Sequence, residues 1–293
     1  YVAMLLVLFA LFFRPVGFDY RSKLGDARWR NAWDWGLFAG GFVPALVFGV
    51  AFGNLLQGVP FFLDEFLRPS YTGSFFGLLN PFGLLAGVVS LAMLVMHGAL
   101  WLQMRTEEPI AGRARRWALG AGLVMMAGFA LAGVWLVAAI DGYRILAMPA
   151  TDALPNPLAK EVAEAPGAWL DNYRAAPLTM LAPVLGFAGA GLALLLSRVG
   201  AAGWAFVSSA LGITGVIVTA GISMFPFIMP SSTNPVSSLT IWDAPSSHLT
   251  LTVMFWAVVI FLPIVLAYTV WTYARMWGKV TVAEIRERAG SAY

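Results

Sequence analysis

The sequence predicts an all-α fold, a polytopic transmembrane helical bundle, and three observations predict it. The composition is 60% hydrophobic and only 11% charged, with a mean hydropathy of +0.78. A soluble domain carries about a quarter charged residues, so this chain could not clothe a globule in polar surface. Six stretches reach the roughly 20 apolar residues that a helix needs to cross hydrocarbon. Lysine and arginine, finally, segregate between alternate connections.

Taken in order, Tyr1–Phe13 is too short to cross alone and is expected to be the end of a span whose start precedes residue 1. A basic connection from Arg14 to Trp35 follows, carrying Arg14, Arg21, Lys23, Arg28 and Arg30. Trp33–Leu56 is the first whole span. Phe75–Met104, Trp117–Ile140, Pro177–Ser197, Trp204–Phe227 and Leu249–Met276 come after it. On one side of the membrane this alternation collects those five residues with Arg105, Arg113, Arg115, Arg116, Arg198, Arg275, Lys279, Arg286 and Arg288. The other side receives only Arg68, Arg144, Lys160 and Arg174. Short basic connections resist translocation, which places the richer side and the C-terminus in the cytoplasm. Trp33, Trp35, Trp101, Trp117, Trp204, Trp271 and Tyr273 fall near span ends, the level that amphipathic rings favour.

The opposite connections differ in character. Gly58–Gly73 holds Asp64 and Glu65 among aromatics, and Asp141–Ala176 is the longest, with a short surface helix predicted over Leu158–Glu164. Phe227–His248 is rich in Ser, Thr and Pro and lacks Lys and Arg. Within the spans, Gly36, Gly40, Gly49 and Gly53, then Gly83 and Gly87, then Gly212, Gly215 and Gly221 predict close helix packing inside the bundle. Pro44, Pro183 and Pro263 predict kinks.

Reactive groups are sparse. The absence of cysteine excludes thiolate-bound metal, iron–sulfur clusters and disulfides. The two histidines, His97 and His248, are too few for a haem–copper centre. No basic run interleaved with aromatics offers a nucleic-acid groove. An intramembrane ionisable group is a functional candidate by default, which singles out His97, about 12 Å along its helix from Arg105. It could ligate haem, relay protons or pack through a hydrogen bond, and packing is the preferred reading. Asp34, opening a span between Trp33 and Trp35, suits the helix N-terminus and a pairing with Arg28 or Arg30, with proton entry as the alternative. His248 is expected at a cap or loop contact. Asp141, Asp171 and Asp243 are expected to be solvated or paired with Arg144 or Arg174. Asn80–Pro81 marks a break or helix start, and Glu107–Glu108 a solvated turn. No catalytic or metal-binding set emerges, and the residues alone describe a scaffold or partner subunit, with a secondary transporter or a structural assembly subunit as alternatives.

Specific stretches go further. Phe12–Lys23 (FFRPVGFDYRSK), Trp29–Gly36 (WRNAWDWG), Gly49–Pro60 (GVAFGNLLQGVP) and Leu78–Gly87 (LLNPFGLLAG) resemble, in order, subunit II of cytochrome bd-type quinol oxidases. Leu131–Trp135, Met224–Thr233 and Ser238–Ala244 continue the likeness toward the C-terminus. The resemblance implies nine spans, arranged as two four-helix bundles and a peripheral helix. It implies a single membrane domain over 1–293 here, without the family's first two spans and the acidic proton-pathway residue they carry. It further implies a partner, subunit I, that bears the three haems of b and d type and the quinol-oxidising loop, with small single-span subunits often attached. Such complexes oxidise quinol, reduce dioxygen to water and add to the proton gradient. Subunit II in this family usually binds no haem and in some members holds a structural quinone.

Overall fold

The computed structural model describes residues 1–150, 154–281 and 283. Arg286 and Arg288, counted above on the basic side, lie outside the described residues. Among those described, seven helices are long and apolar enough to span a bilayer. They are α1 (Val2–Tyr20), α2 (Ala27–Gln57), α3 (Pro81–Arg105), α4 (Ile110–Ala139), α6 (Leu181–Arg198), α7 (Ala202–Met224) and α8 (His248–Arg275), with a short α5 (Asp171–Ala175) between α4 and α6.

Four of them close a ring: α3 packs on α4 and α7, and α6 packs on α4 and α7. Its interior is filled by Met96, Leu100, Met125, Leu194 and a set of alanines that includes Ala118, Ala190, Ala193 and Ala205. Small side chains let helices approach closely, which replaces the hydrophobic drive that is lost in lipid. At the α6–α7 crossing, a β-carbon on Gly189 would lie 2.5 Å from the backbone nitrogen of Gly212. Between α2 and α3, one on Gly53 would lie 2.8 Å from the α-carbon of Gly83. These seams are intramolecular, as the glycine spacing predicts. Gly221 is the exception, with open space around it.

The predicted spans hold, and their edges shift. Helix α1 runs on past Arg14 and Pro15 to Tyr20, so the basic connection shrinks to Arg21–Asp26. Tertiary contacts carry the helix through a proline that forfeits one hydrogen bond. Gly17 nests against Leu37, and the Trp29 indole donates to the Tyr20 carbonyl at 2.8 Å. Asp26 caps α2 by accepting from the Arg28 amide at 2.9 Å. Helix α3 starts where Asn80–Pro81 predicts, with Asn80 accepting from the Gly83 amide at 2.7 Å and proline at the first helical position.

The segments opposite the basic connections are folded against one another. They form three two-stranded antiparallel sheets, β1 (Phe61–Leu63) with β2 (Pro69–Tyr71), β3 (Gly142–Ala147) with β4 (Glu161–Ala165), and β5 (Phe227–Met229) with β6 (Leu239–Thr240). Strand β4 occupies most of the stretch expected as a surface helix; only Pro157–Ala159 makes a helical turn. Pairing with β3 outweighs the helix propensity of its Glu and Ala residues. Aromatic rings of Tyr143, Trp169 and Phe227, with Phe82 from α3, seat this cap on the bundle. Every cross-link in the cap joins connections assigned to one side: Ser231 to the Phe61 carbonyl, Trp169 to the Leu56 carbonyl at 3.0 Å, Asn172 to the Phe225 carbonyl at 2.6 Å. On the basic side, the Val280 amide meets the Arg105 carbonyl at 2.8 Å. The alternation of sides is thus built into the contacts.

Candidate functional site

The two sequence candidates sit on different helices, and among the described residues no contact joins them. Arg21 grips Asp34 with two nitrogens, at 2.5 and 3.1 Å, in an exposed pair that closes the α1–α2 turn. The partner is therefore Arg21 and not Arg28 or Arg30, because the turn carries Arg21 directly over the first part of α2.

His97 is half-buried on α3. Its Nδ1 lies 2.7 Å from the Ser209 hydroxyl of α7, and its ring stacks on Phe206 with centroids 4.2 Å apart. Ser209 also reaches the Phe206 carbonyl at 2.7 Å. A hydroxyl has one proton, so with that proton on the carbonyl the imidazole Nδ1 donates to Ser209. This is the geometry of a hydrogen-bonded packing residue across the α3–α7 seam. At the other end of the molecule Ser247, not His248, caps α8 by accepting from the Thr250 amide at 3.4 Å.

The carboxylates of the cap divide. Asp171 pairs with Arg144 at 2.5 Å and with Arg174 at 3.3 Å, as expected. Asp243 does not. It is buried and faces Lys160 at 2.8 Å, where the lysine side chain is 1% exposed. Lys160 also donates to the Pro157 carbonyl at 2.5 Å, and the other Asp243 oxygen accepts from the Thr240 amide at 2.8 Å. A buried ion pair persists only when such extra hydrogen bonds offset desolvation. Nothing local in the sequence marks this pair, since two membrane crossings, α6 and α7, separate its members. Nearby, burial and then the neighbouring Glu164 carboxylate push the Tyr143 hydroxyl well above the ordinary tyrosine range. It stays protonated and faces Glu164 Oε1 at 3.4 Å. The Tyr143 hydroxyl also fills the space beside Gly58, whose φ of +85° suits glycine alone.

An apolar cavity of about 420 Å³ lies among α2, α3, α4 and α7. Phe48, Phe52, Phe82, Met93, Phe129 and Ile213 are among its walls. Its few polar neighbours are spoken for: Ser90 donates to the Ala45 carbonyl, Thr219 to the Gly215 carbonyl, and Ser223 meets Tyr173 Oη at 3.1 Å. Such a chamber can hold a flexible apolar chain and has no group that would act on it. Among the described residues, no three His, Cys, Asp or Glu side chains come together as a metal-binding group.

Comparison with known proteins adds what the geometry alone does not. Residues 1–276 match the family model described as cytochrome bd terminal oxidase subunit II. The chain is 56% identical over 293 residues to the cytochrome bd-I ubiquinol oxidase subunit 2 of Escherichia coli (strain K12), spanning all of this chain and 77% of that protein. It is 52% identical, over the same shares, to a probable cytochrome oxidase subunit 2 of Haemophilus influenzae. Among solved structures, the bd oxidase from Geobacillus thermodenitrificans superposes with a TM-score of 0.64 at 15% identity, covering 95% of this chain and 74% of that one, which shows a shared fold. With a helical bundle of this fold and a match running nearly from end to end, the chain belongs to the cytochrome bd terminal oxidase subunit II family.

Proposed function

We propose that this chain is the non-haem membrane subunit of a bd-type terminal oxidase, which oxidises quinol and reduces dioxygen to water in aerobic respiration. The observation that carries the reading is the family match over residues 1–276. The transporter and assembly-subunit alternatives have no comparable support. In this reading haems b and d and the quinol-oxidising site belong to the partner, subunit I, and this chain is a single membrane domain that holds it. Helix α8 supports a partner: none of its spanning window is buried within the chain, and it touches the bundle mainly near its end, where Tyr273 packs on Trp101. Helix α1 is nearly as open. Small single-span subunits and lipid cover what the partner leaves.

The basic bias of the connections supports an inner-membrane orientation with the C-terminus in the cytoplasm. The 420 Å³ chamber, apolar and flanked by phenylalanines, suits the isoprenoid tail of a structural quinone. Asp34 and His97 keep structural roles, an ion pair and a packing hydrogen bond. The test is purification of the tagged chain in mild detergent. A haem-bearing partner with b- and d-type visible bands is expected to come with it; a colourless preparation without a partner would overturn the reading.

A further inference from the structure

On the basic side, a second cleft of about 460 Å³ opens between the α3–α4 turn, the α6–α7 turn and the segment after α8. Its character is the opposite of the inner chamber. Thr106, Glu107, Glu108, Arg115, Gly203 and Lys279 line it. The wall formed by the segment after α8 is held in place. The Val280 amide bonds the Arg105 carbonyl at 2.8 Å, Arg105 reaches the Met276 carbonyl, and its guanidinium lies 5.1 Å from the Trp277 ring and 5.5 Å from Trp101.

The charges in this cleft are incompletely used. Arg115 Nε is buried and has no hydrogen-bond partner. Its terminal nitrogen approaches Glu108 only to 4.0 Å, while that carboxylate accepts from the Gly112 amide at 3.1 Å. Among the described residues, Lys279 and Glu107 make no ion pair. Depth is indicated by tryptophans close in sequence to its lining residues. Trp117 of α4, Trp204 of α7 and Trp277 after α8 are about 70% exposed, as expected of indoles at the headgroup level. Two cations and two carboxylates at that depth match a headgroup carrying both signs. A purely anionic headgroup would face the carboxylates unrelieved, and a quaternary ammonium could not donate hydrogen bonds to them.

We propose that this cleft seats the phosphoethanolamine headgroup of a membrane phospholipid, its phosphate between Arg115 and Lys279 and its primary ammonium against Glu107 and Glu108. The seated lipid ties the α3–α4 turn to the segment that follows α8. The site needs only a membrane-spanning chain, so it stands or falls apart from the oxidase reading.

The test uses the purified tagged protein with whatever subunits accompany it, stripped of lipid and titrated by native mass spectrometry with short-chain phosphatidylethanolamine, phosphatidylcholine, phosphatidylglycerol or inorganic phosphate. Saturable binding of phosphatidylethanolamine is expected, weakened about tenfold or more by Arg115→Ala and by Lys279→Ala, as for a charge-assisted hydrogen bond removed. Glu107→Gln is expected to narrow its advantage over phosphatidylcholine. Lys279 lies outside the bundle, so its variant keeps the test meaningful if Arg115→Ala assembles poorly. Equal binding by the wild type and Lys279→Ala would overturn the proposal. So would equal occupancy by phosphatidylcholine or phosphatidylglycerol, or saturation by inorganic phosphate at the same concentrations.

Discussion

The α6–α7 crossing gives the sharpest test of how this bundle is held together. A β-carbon on Gly189 would stand 2.5 Å from the nitrogen and 2.7 Å from the α-carbon of Gly212, and 2.9 Å from the Ser208 carbonyl oxygen. All three are backbone atoms, so no rotamer change can relieve the overlap. To reach the 3.4 Å of ordinary contact, one helix must move by about 0.9 Å relative to the other. Gly191, two residues along the same helix, has nothing within 4 Å. Gly→Ala raises helix propensity by about 1 kcal/mol at either position, so that gain cancels in the comparison. Overpacking costs about 1–3 kcal/mol and applies at Gly189 alone. Gly189→Ala is therefore expected to be less stable than Gly191→Ala by about 1–3 kcal/mol, with Gly191→Ala at or above the wild type. Thermal unfolding of the purified complex, followed by intrinsic fluorescence in one detergent, reads the difference. Indistinguishable midpoints for the two variants would refute backbone contact at this seam.

Three further outcomes follow from the geometry. Lys160→Met strands Asp243 in the buried cap and is expected to cost about 3–5 kcal/mol, whereas adding Asp243→Leu to the same chain should recover most of the loss; a neutral single variant in urea titration would show that the pair is not buried in the assembled protein. His97→Gln keeps a side chain able to bond Ser209, so the visible haem bands of the complex should be unchanged, and loss of a band would place a haem ligand on this chain. Asp34→Asn removes one arm of an exposed pair, and quinol-driven oxygen consumption is expected to continue at the wild-type rate; a marked fall would make Asp34 a proton-relay residue.

How much was legible from sequence depends on what sets each feature. The spans were readable because the bilayer imposes their length, and hydropathy reports it directly. Their ends were less so. Hydropathy drops at Arg113, Arg115 and Arg116, yet α4 begins at Ile110, because a helix can project beyond hydrocarbon while its side chains meet water. In α1, Pro15 argues for a stop that Gly17 against Leu37 and Trp29 on the Tyr20 carbonyl overrule. The glycine seams were readable as seams, though the choice of neighbour, α6 for Gly212 and Gly215 but α3 for Gly49 and Gly53, is a tertiary fact. Least legible was the cap. Residues Leu158–Glu164 mix good helix formers, and only the register with β3 and the reach of Lys160 to Asp243 make most of that stretch extended. Both candidate residues, Asp34 and His97, were found by the rule that charge in a membrane needs a reason; their partners, Arg21 and Ser209, lie across a turn and across a helix seam.

The distribution of polar groups argues for what kind of subunit this is. Inside the membrane the buried polar contacts are spent on holding helices in register: Asn54 donates to the Val50 and Leu78 carbonyls and accepts from Asn80, and Gln103 exchanges two hydrogen bonds with Ser197. Each such group would cost stability if left unpaired in hydrocarbon, so each fixes one arrangement of two helices against the alternatives. The cap repeats this outside the bilayer with Lys160–Asp243, Tyr173 on the Thr219 carbonyl and Trp169 on the Leu56 carbonyl. Against this fixed frame, α8 stands with no buried residue. A frame held together by its own contacts can define the position of a companion that packs on the apolar faces α8 and α1 leave uncovered. That is what a partner oxidase subunit needs from a membrane subunit built as a frame.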